Sequence, residues 1–153
     1  MSKIVYRDPL IHIPTFKEYQ VDGGYILNKV TELGLKVPMG LLDWNYYYTD
    51  LEGWGKVLYD LAFNSDLYKN DRFDCENFAL KAMNVCAERY GLNALVMTIG
   101  DMPLGRHGFN IFCYGTAGNI EGWKLWEPNG GFEWSGQPFD IGENNYFPDL
   151  VLL

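Results

Sequence analysis

A cysteine, a histidine and a carboxylate stand in order along this sequence. Cys75 lies in Arg72-Phe73-Asp74-Cys75-Glu76-Asn77-Phe78-Ala79, His107 in Arg106-His107-Gly108-Phe109-Asn110, and Glu127 in Trp126-Glu127-Pro128-Asn129. A thiol becomes a nucleophile when a base takes its proton, and an acid can hold that base in the right orientation. The chain has two histidines, so the base is nearly unique; His12, between Ile11 and Ile13 and far from the other motifs, reads as structural. Only the thiolate attacks, and the first turn of a helix favours it through unpaired N–H groups and the positive end of the dipole. Asp74 and Glu76 act in the opposite sense, because nearby negative charge disfavours a second anion. A cationic imidazole close to Cys75 is therefore required.

The elements that would position these residues follow from periodicity and caps. Phe78, Ala79, Ala82, Met83, Cys86 and Tyr90 recur at three- and four-residue spacing, which predicts a helix from an Asp71 or Asp74 cap to about Tyr90, ending at Gly91. Cys75 extends that stripe to the helix start and faces the body of the protein. Leu92 to Ile99, His107 to Tyr114 and Trp123 to Glu127 are rich in β-branched or aromatic residues between Gly-containing loops, and predict three consecutive antiparallel strands. A further strand is expected at Tyr146 to Leu153. Upstream, Pro14-Thr15-Phe16-Lys17-Glu18 has the shape of a capping box and predicts a short helix or turn. Ile26, Leu27, Val30 and Leu33 predict a helix closed by Gly34. Gly40 to Gly55 is dense in aromatics (Trp44, Tyr46, Tyr47, Tyr48, Trp54) and reads either as a cleft wall or as buried structural rings. Val57, Leu58, Leu61 and Ala62 continue it as a helical stripe to about Asn64.

The loop Gly115-Thr116-Ala117-Gly118-Asn119 centres on residue 117, and a simple hairpin about that centre sets His107 opposite Glu127. Directly opposed residues share a face with Cβ atoms roughly 4.5 to 5.5 Å apart, near enough for a carboxylate to hold an imidazole N–H. The same register opposes Phe109 to Leu125 and Ile111 to Trp123, an apolar face on which the Cys75 helix is expected to pack. A one-residue bulge would shift this pairing.

Composition narrows the class. A chain of 153 residues with 48% hydrophobic residues and five Trp can bury one sizeable core. One domain is expected, with residues 1–65 a helical and aromatic-rich part and residues 66–153 a helix plus antiparallel sheet. The net charge of -8 and the lack of any Lys/Arg cluster disfavour nucleic acid as a partner. The opening residues Met1 to Pro9 carry charges and no apolar run, and no window approaches a membrane span, so no secretory signal and no membrane partner are expected and the chain reads as cytoplasmic. Cys75, Cys86 and Cys113 form no disulfide framework; Cys86 and Cys113 read as core thiols. Asp71, Asp74, Glu76 and Glu127 could jointly hold a hard cation, but their spacing matches no loop such as the EF-hand; this is the lesser reading, and no metal and no cofactor are expected.

Each residue of the trio also has a plainer reading: Cys75 as a small core residue, His107 as a loop hydrogen-bonding group, Glu127 as a solvated carboxylate at a strand end. Their order and neighbours nevertheless match a family. Asp74-Cys75-Glu76-Asn77-Phe78-Ala79 resembles the Asp-Cys-(Asp/Glu)-x-(Phe/Tyr)-Ala helix start of transglutaminase-like cysteine peptidases in the papain-like superfamily. His107-Gly108-Phe109-Asn110 and Trp123-Lys124-Leu125-Trp126-Glu127-Pro128 resemble their His-x-(Trp/Phe)-Asn and Trp-x-x-x-(Asp/Glu)-Pro strands. The resemblance covers residues 70 to 130 and implies an α+β, papain-like/transglutaminase-like core with the nucleophile at the start of a central helix packed on an antiparallel sheet. It implies Cys75 as nucleophile, His107 as general base and then acid, and Glu127 as orienter, where the family more often has Asp. By analogy with the amide side chain that papain-like enzymes place before the nucleophile, Asn70 is expected as a second oxyanion donor beside the Cys75 N–H. The implied activity is amide hydrolysis of a protein or peptide through an acyl-enzyme, or acyl transfer to an amine. The alternative is a catalytically silent module that binds a protein partner through Trp44 to Trp54. A cell-wall amidase of the NlpC/P60 kind is a weaker fit, since its Asp-Cys-Ser-Gly motif is absent.

Overall fold

The computed structural model describes residues 13–153, so His12 lies outside the described residues. Among the described residues, two antiparallel sheets and three α-helices share one apolar core. Strand β1 (Tyr19–Asp22) leads directly into helix α1 (Gly23–Glu32), whose N-cap Asp22 accepts the Tyr25 N–H at 2.9 Å. The predicted capping box at Thr15 starts no helix; the chain there is irregular and then extended into β1. Strand β2 (Asn45–Tyr48) pairs with β1, and helix α2 (Leu51–Val57) passes into a 3-10 turn over Leu58–Leu61. The aromatic segment thus contains a strand that its composition did not announce. Its side chains settle the two readings of that segment: Tyr46, Tyr48 and Trp54 are fully buried, whereas Trp44 is 91% exposed.

Helix α3 (Cys75–Tyr90) starts at Asp74, the second of the two caps the sequence allows, whose N–H is accepted by Asn77 Oδ1 at 3.1 Å, and it ends at Gly91, which adopts the left-handed conformation at φ 68°. Strands β3 (Leu95–Met102), β4 (Gly105–Thr116), β5 (Asn119–Trp126) and β6 (Phe147–Leu152) form the main sheet in the order β5-β4-β3-β6, all neighbours antiparallel. Both outer strands are capped part-way along. Leu125 and Phe139 exchange backbone hydrogen bonds at the β5 edge, and Lys36 bridges Asp149 and Val151 at the β6 edge. No described helix is long and apolar enough to cross a membrane.

The β4–β5 register differs from the simple hairpin. Asn110 pairs with Trp126 and Ile111 with Leu125, two residues away from the expected partners, because the irregularity at Tyr114/Gly115 takes up part of the slip and the turn centres between Ala117 and Gly118. A displacement of two keeps every side chain on its face, since the side-chain period of a strand is two.

The face met by α3 is the other correction. The helix packs on the side carrying Gly108 and Asn110, not on the Phe109–Ile111 side: a Cβ on Gly108 would lie 3.0 Å from Glu76 Cα, and Asn110 Nδ2 donates to Ala79 O at 3.0 Å and to Val96 O at 3.3 Å. The opposite face, with His107 and Phe109, is covered by the segment between β5 and β6, through Phe132 and Tyr146.

Candidate active site

Three elements converge at one end of the main sheet. Cys75 is the first residue of α3 and half-buried, so its N–H belongs to the set that a helix leaves without an intrahelical partner. The segment before it is a tight turn in which Lys69 and Phe73 exchange backbone hydrogen bonds and Asp71 adopts a φ of 56°. His107 stands near the start of β4, opposite Gly100 of β3. The absence of a side chain at Gly108 lets the first turn of the helix rest against β4 one residue from His107. Glu127 follows the last residue of β5, fully buried, on a loop anchored where Phe63 donates its N–H to Pro128 O and accepts that of Gly130, each at 2.8 Å.

His107 Nε2 donates to Glu127 Oε2 at 2.6 Å, a short charge-assisted contact in a site shielded from water. Nε2 being engaged, Nδ1 is the ring nitrogen left for Cys75. The carboxylate is satisfied three ways: Tyr146 Oη also donates to Oε2 at 2.8 Å, and the Asn129 N–H donates to Oε1 at 2.9 Å. Burial pulls the His107 pKa down, but hydrogen bonding to Cys75 and then to Glu127 outweighs it and raises the imidazole to about 9. The upward shift favours the imidazolium form, the cation that Asp74 and Glu76 call for beside Cys75. Burial and the Glu127 carboxylate push the Tyr146 phenol upward, so it remains a neutral donor.

The rings around His107 are Phe109 (5.9 Å between centroids), Phe132 (5.4 Å) and Tyr146 (5.6 Å), with Trp134 packed on Phe132 and Tyr146. They come from β4 and from the β5–β6 segment. The Trp44–Trp54 aromatics lie elsewhere: Trp54 Nε1 donates to Cys113 O and Tyr48 Oη to Thr116 O, toward the hairpin end of β4. At 3.3 Å per residue, Cys113 is roughly 20 Å along the strand from His107.

The structure brings together Cys75, His107 and Glu127 and does not add Asn70. That side chain is exposed and donates to Asp71 Oδ2 at 3.0 Å, committed to the turn rather than to Cys75. The four carboxylates do not form one cation set either. Asp74, Cys75 and Glu76 offer ligand atoms within 4.8 Å of one another, with the thiol donating to Glu76 Oε2 at 3.4 Å, while Glu127 is turned wholly toward His107, Tyr146 and Asn129. Cys86 and Cys113 are buried, and burial pushes both thiols up, away from reactivity. Tyr146 escaped sequence reasoning, because nothing within a short window links it to residue 127.

No family model matches this sequence, and no curated protein matches it. Among solved structures, the chain is similar to one titled a complex of PSL1a with E64, with a TM-score of 0.61 and 18% identity over 88% of this chain. The chain spans about half of that one, 51% of its length. The likeness is one of fold: an α+β arrangement with helices packed on antiparallel sheet.

Proposed function

We propose that the chain is a cysteine-dependent amide hydrolase with a papain-like core of the transglutaminase-like kind, acting on a protein or peptide through Cys75, His107 and Glu127. The observation that carries this reading is the 2.6 Å bond between His107 and a fully buried Glu127 beside a helix start seated on Gly108. A carboxylate behind the imidazole and a helix N-terminus before it are what a thiolate–imidazolium pair needs. The fold it shares with a chain titled as an E64 complex agrees with this, E64 being a cysteine protease inhibitor.

In the proposed reaction the Cys75 thiolate attacks the amide carbonyl carbon, and the developing oxyanion meets the Cys75 N–H. The imidazolium gives its proton to the leaving amine as the C–N bond breaks. Neutral His107 then takes a proton from water as the water oxygen attacks the thioester carbonyl; the C–S bond breaks, the carboxylic acid leaves, and the thiolate–imidazolium pair is restored.

The test is alkylation by limiting iodoacetamide at pH 6, read by intact mass and peptide mapping. Burial alone silences Cys86 and Cys113, so the decisive comparison is Cys75 with and without His107. An ordinary thiol of pKa 8.5 is ionised at about 0.3% at pH 6, so if the imidazolium holds Cys75 as thiolate, His107→Ala should slow its labelling by up to about 300-fold. Equal rates in the two proteins would sink the proposal.

A further inference from the structure

We propose that Tyr146 is a positioning residue of this site, acting on His107 through the Glu127 carboxylate oxygen that both side chains share. The inference rests on the reading above. Its particular content is that the working unit is longer than the three residues the sequence motifs mark.

The geometry sets Tyr146 apart from an ordinary buried tyrosine. Its hydroxyl donates to Glu127 Oε2 at 2.8 Å, the same atom that accepts His107 Nε2 at 2.6 Å, while Oε1 is taken by the Asn129 N–H. The phenol and backbone donors occupy both oxygens of Glu127 and fix the carboxylate so that Oε2 points at the imidazole. The Tyr146 ring is itself fixed, fully buried and edge-on to His107, Phe109, Trp134 and Phe139.

The fold is shaped to deliver this hydroxyl. Tyr146 precedes β6, the strand farthest from β5 in the sheet, so its side chain must reach across to the loop that carries Glu127. Gly100 makes room, since a Cβ there would lie 2.1 Å from Phe147 O and 2.6 Å from Pro148 Cα. The register shift between Ile99 and Gly100 occurs at the same place. The titratable groups facing His107 are Cys75 from α3, with Glu76 beside it, Glu127 from the loop after β5, and Tyr146 ahead of β6. The neighbouring Arg106 is turned to Asp101 and Asp149.

The readout is the titration of His107, followed by NMR of its ring protons in the full-length protein, where the chain's two histidines keep the spectrum simple. Tyr146→Phe keeps the packing and removes the donor, leaving Glu127 a stronger acceptor, so the His107 pKa should rise by about half a unit, against up to one to three for a complete carboxylate partner. In a Glu127→Gln background the same change should have no effect, since the shared oxygen's charge is gone. An unchanged or lowered pKa for Tyr146→Phe, or an equal rise in the Glu127→Gln background, would overturn the proposal. Should Tyr146→Phe fail to fold, site-specific fluorotyrosine at 146, a stronger donor of nearly the same shape, should lower the His107 pKa; no change or a rise would count against the role. Because no step of this experiment uses turnover or alkylation, its failure is distinguishable from failure of the hydrolase reading.

Discussion

His107 and Asn110 are three residues apart on β4, both buried and polar, and they face opposite sides of the sheet. Asn110 is spent on architecture: its amide ties the carbonyls of Ala79 in α3 and Val96 in β3. His107 is left with one nitrogen bonded to Glu127 and the other available to Cys75. The helix that carries Cys75 is held by one face of β4, and His107 stands on the other. Gly108, between them in sequence, is where the helix tip comes close enough to serve both. Strand alternation thus separates the residue that holds the helix from the imidazole that would activate Cys75 in the proposed reaction.

That separation makes unequal demands on the two faces. Glu127→Ala strands a buried imidazolium, and losing one partner of such a pair costs about 3 to 5 kcal/mol. Chemical denaturation should show that loss near pH 7, together with slower Cys75 labelling. The same pair gives the protein a signed pH dependence. His107 is raised from the ordinary 6.5 to about 9, so its contribution to stability is complete below pH 6.5 and is lost as pH rises through about 9, amounting to about 3 kcal/mol at 1.36 kcal/mol per unit. Urea midpoints measured from pH 6 to 10 should fall over that window, and a flat profile in His107→Ala would assign the fall to this residue.

Gly108→Ala tests the meeting point. A Cβ at 3.0 Å from Glu76 Cα and 3.1 Å from Glu76 N must move the start of α3, at about 1 to 3 kcal/mol for overpacking. Labelling of Cys75 should drop by more than the stability change accounts for. On the helix-holding face, Asn110→Ala should destabilise by about 1 to 3 kcal/mol through lost hydrogen bonds and leave the His107 titration in place; a displaced titration would mean the two faces are coupled. The smallest effect belongs to Trp54→Phe at the far end of β4, about 1 kcal/mol for the indole bond to Cys113 O, with Cys75 labelling unchanged.

The contrast between the faces also marks where sequence reasoning works. Helix α3 was readable apart from the choice between Asp71 and Asp74 as its cap, because the three- and four-residue stripe and Gly91 are local signals. The approach of His107 to Glu127 was readable for a sturdier reason than the exact hairpin register: the slip is even, and an even slip leaves both side chains on the same face. What could not be read was set by distant pairings. Which face α3 covers depends on contacts such as Asn110 with Ala79, and the arrival of Tyr146 depends on β6 joining β3 at the far side of the sheet. Asn70 was placed by analogy of position alone, and its own turn claimed its amide.

The capped sheet edges bear on association. An open outer strand is a template onto which any extended chain can add, whether a client peptide or another copy of the protein. Here Phe139 occupies backbone positions on β5, and Lys36 does so on β6. Extended chains meeting those stretches find their hydrogen-bonding groups already taken, which protects those edges against edge-to-edge aggregation.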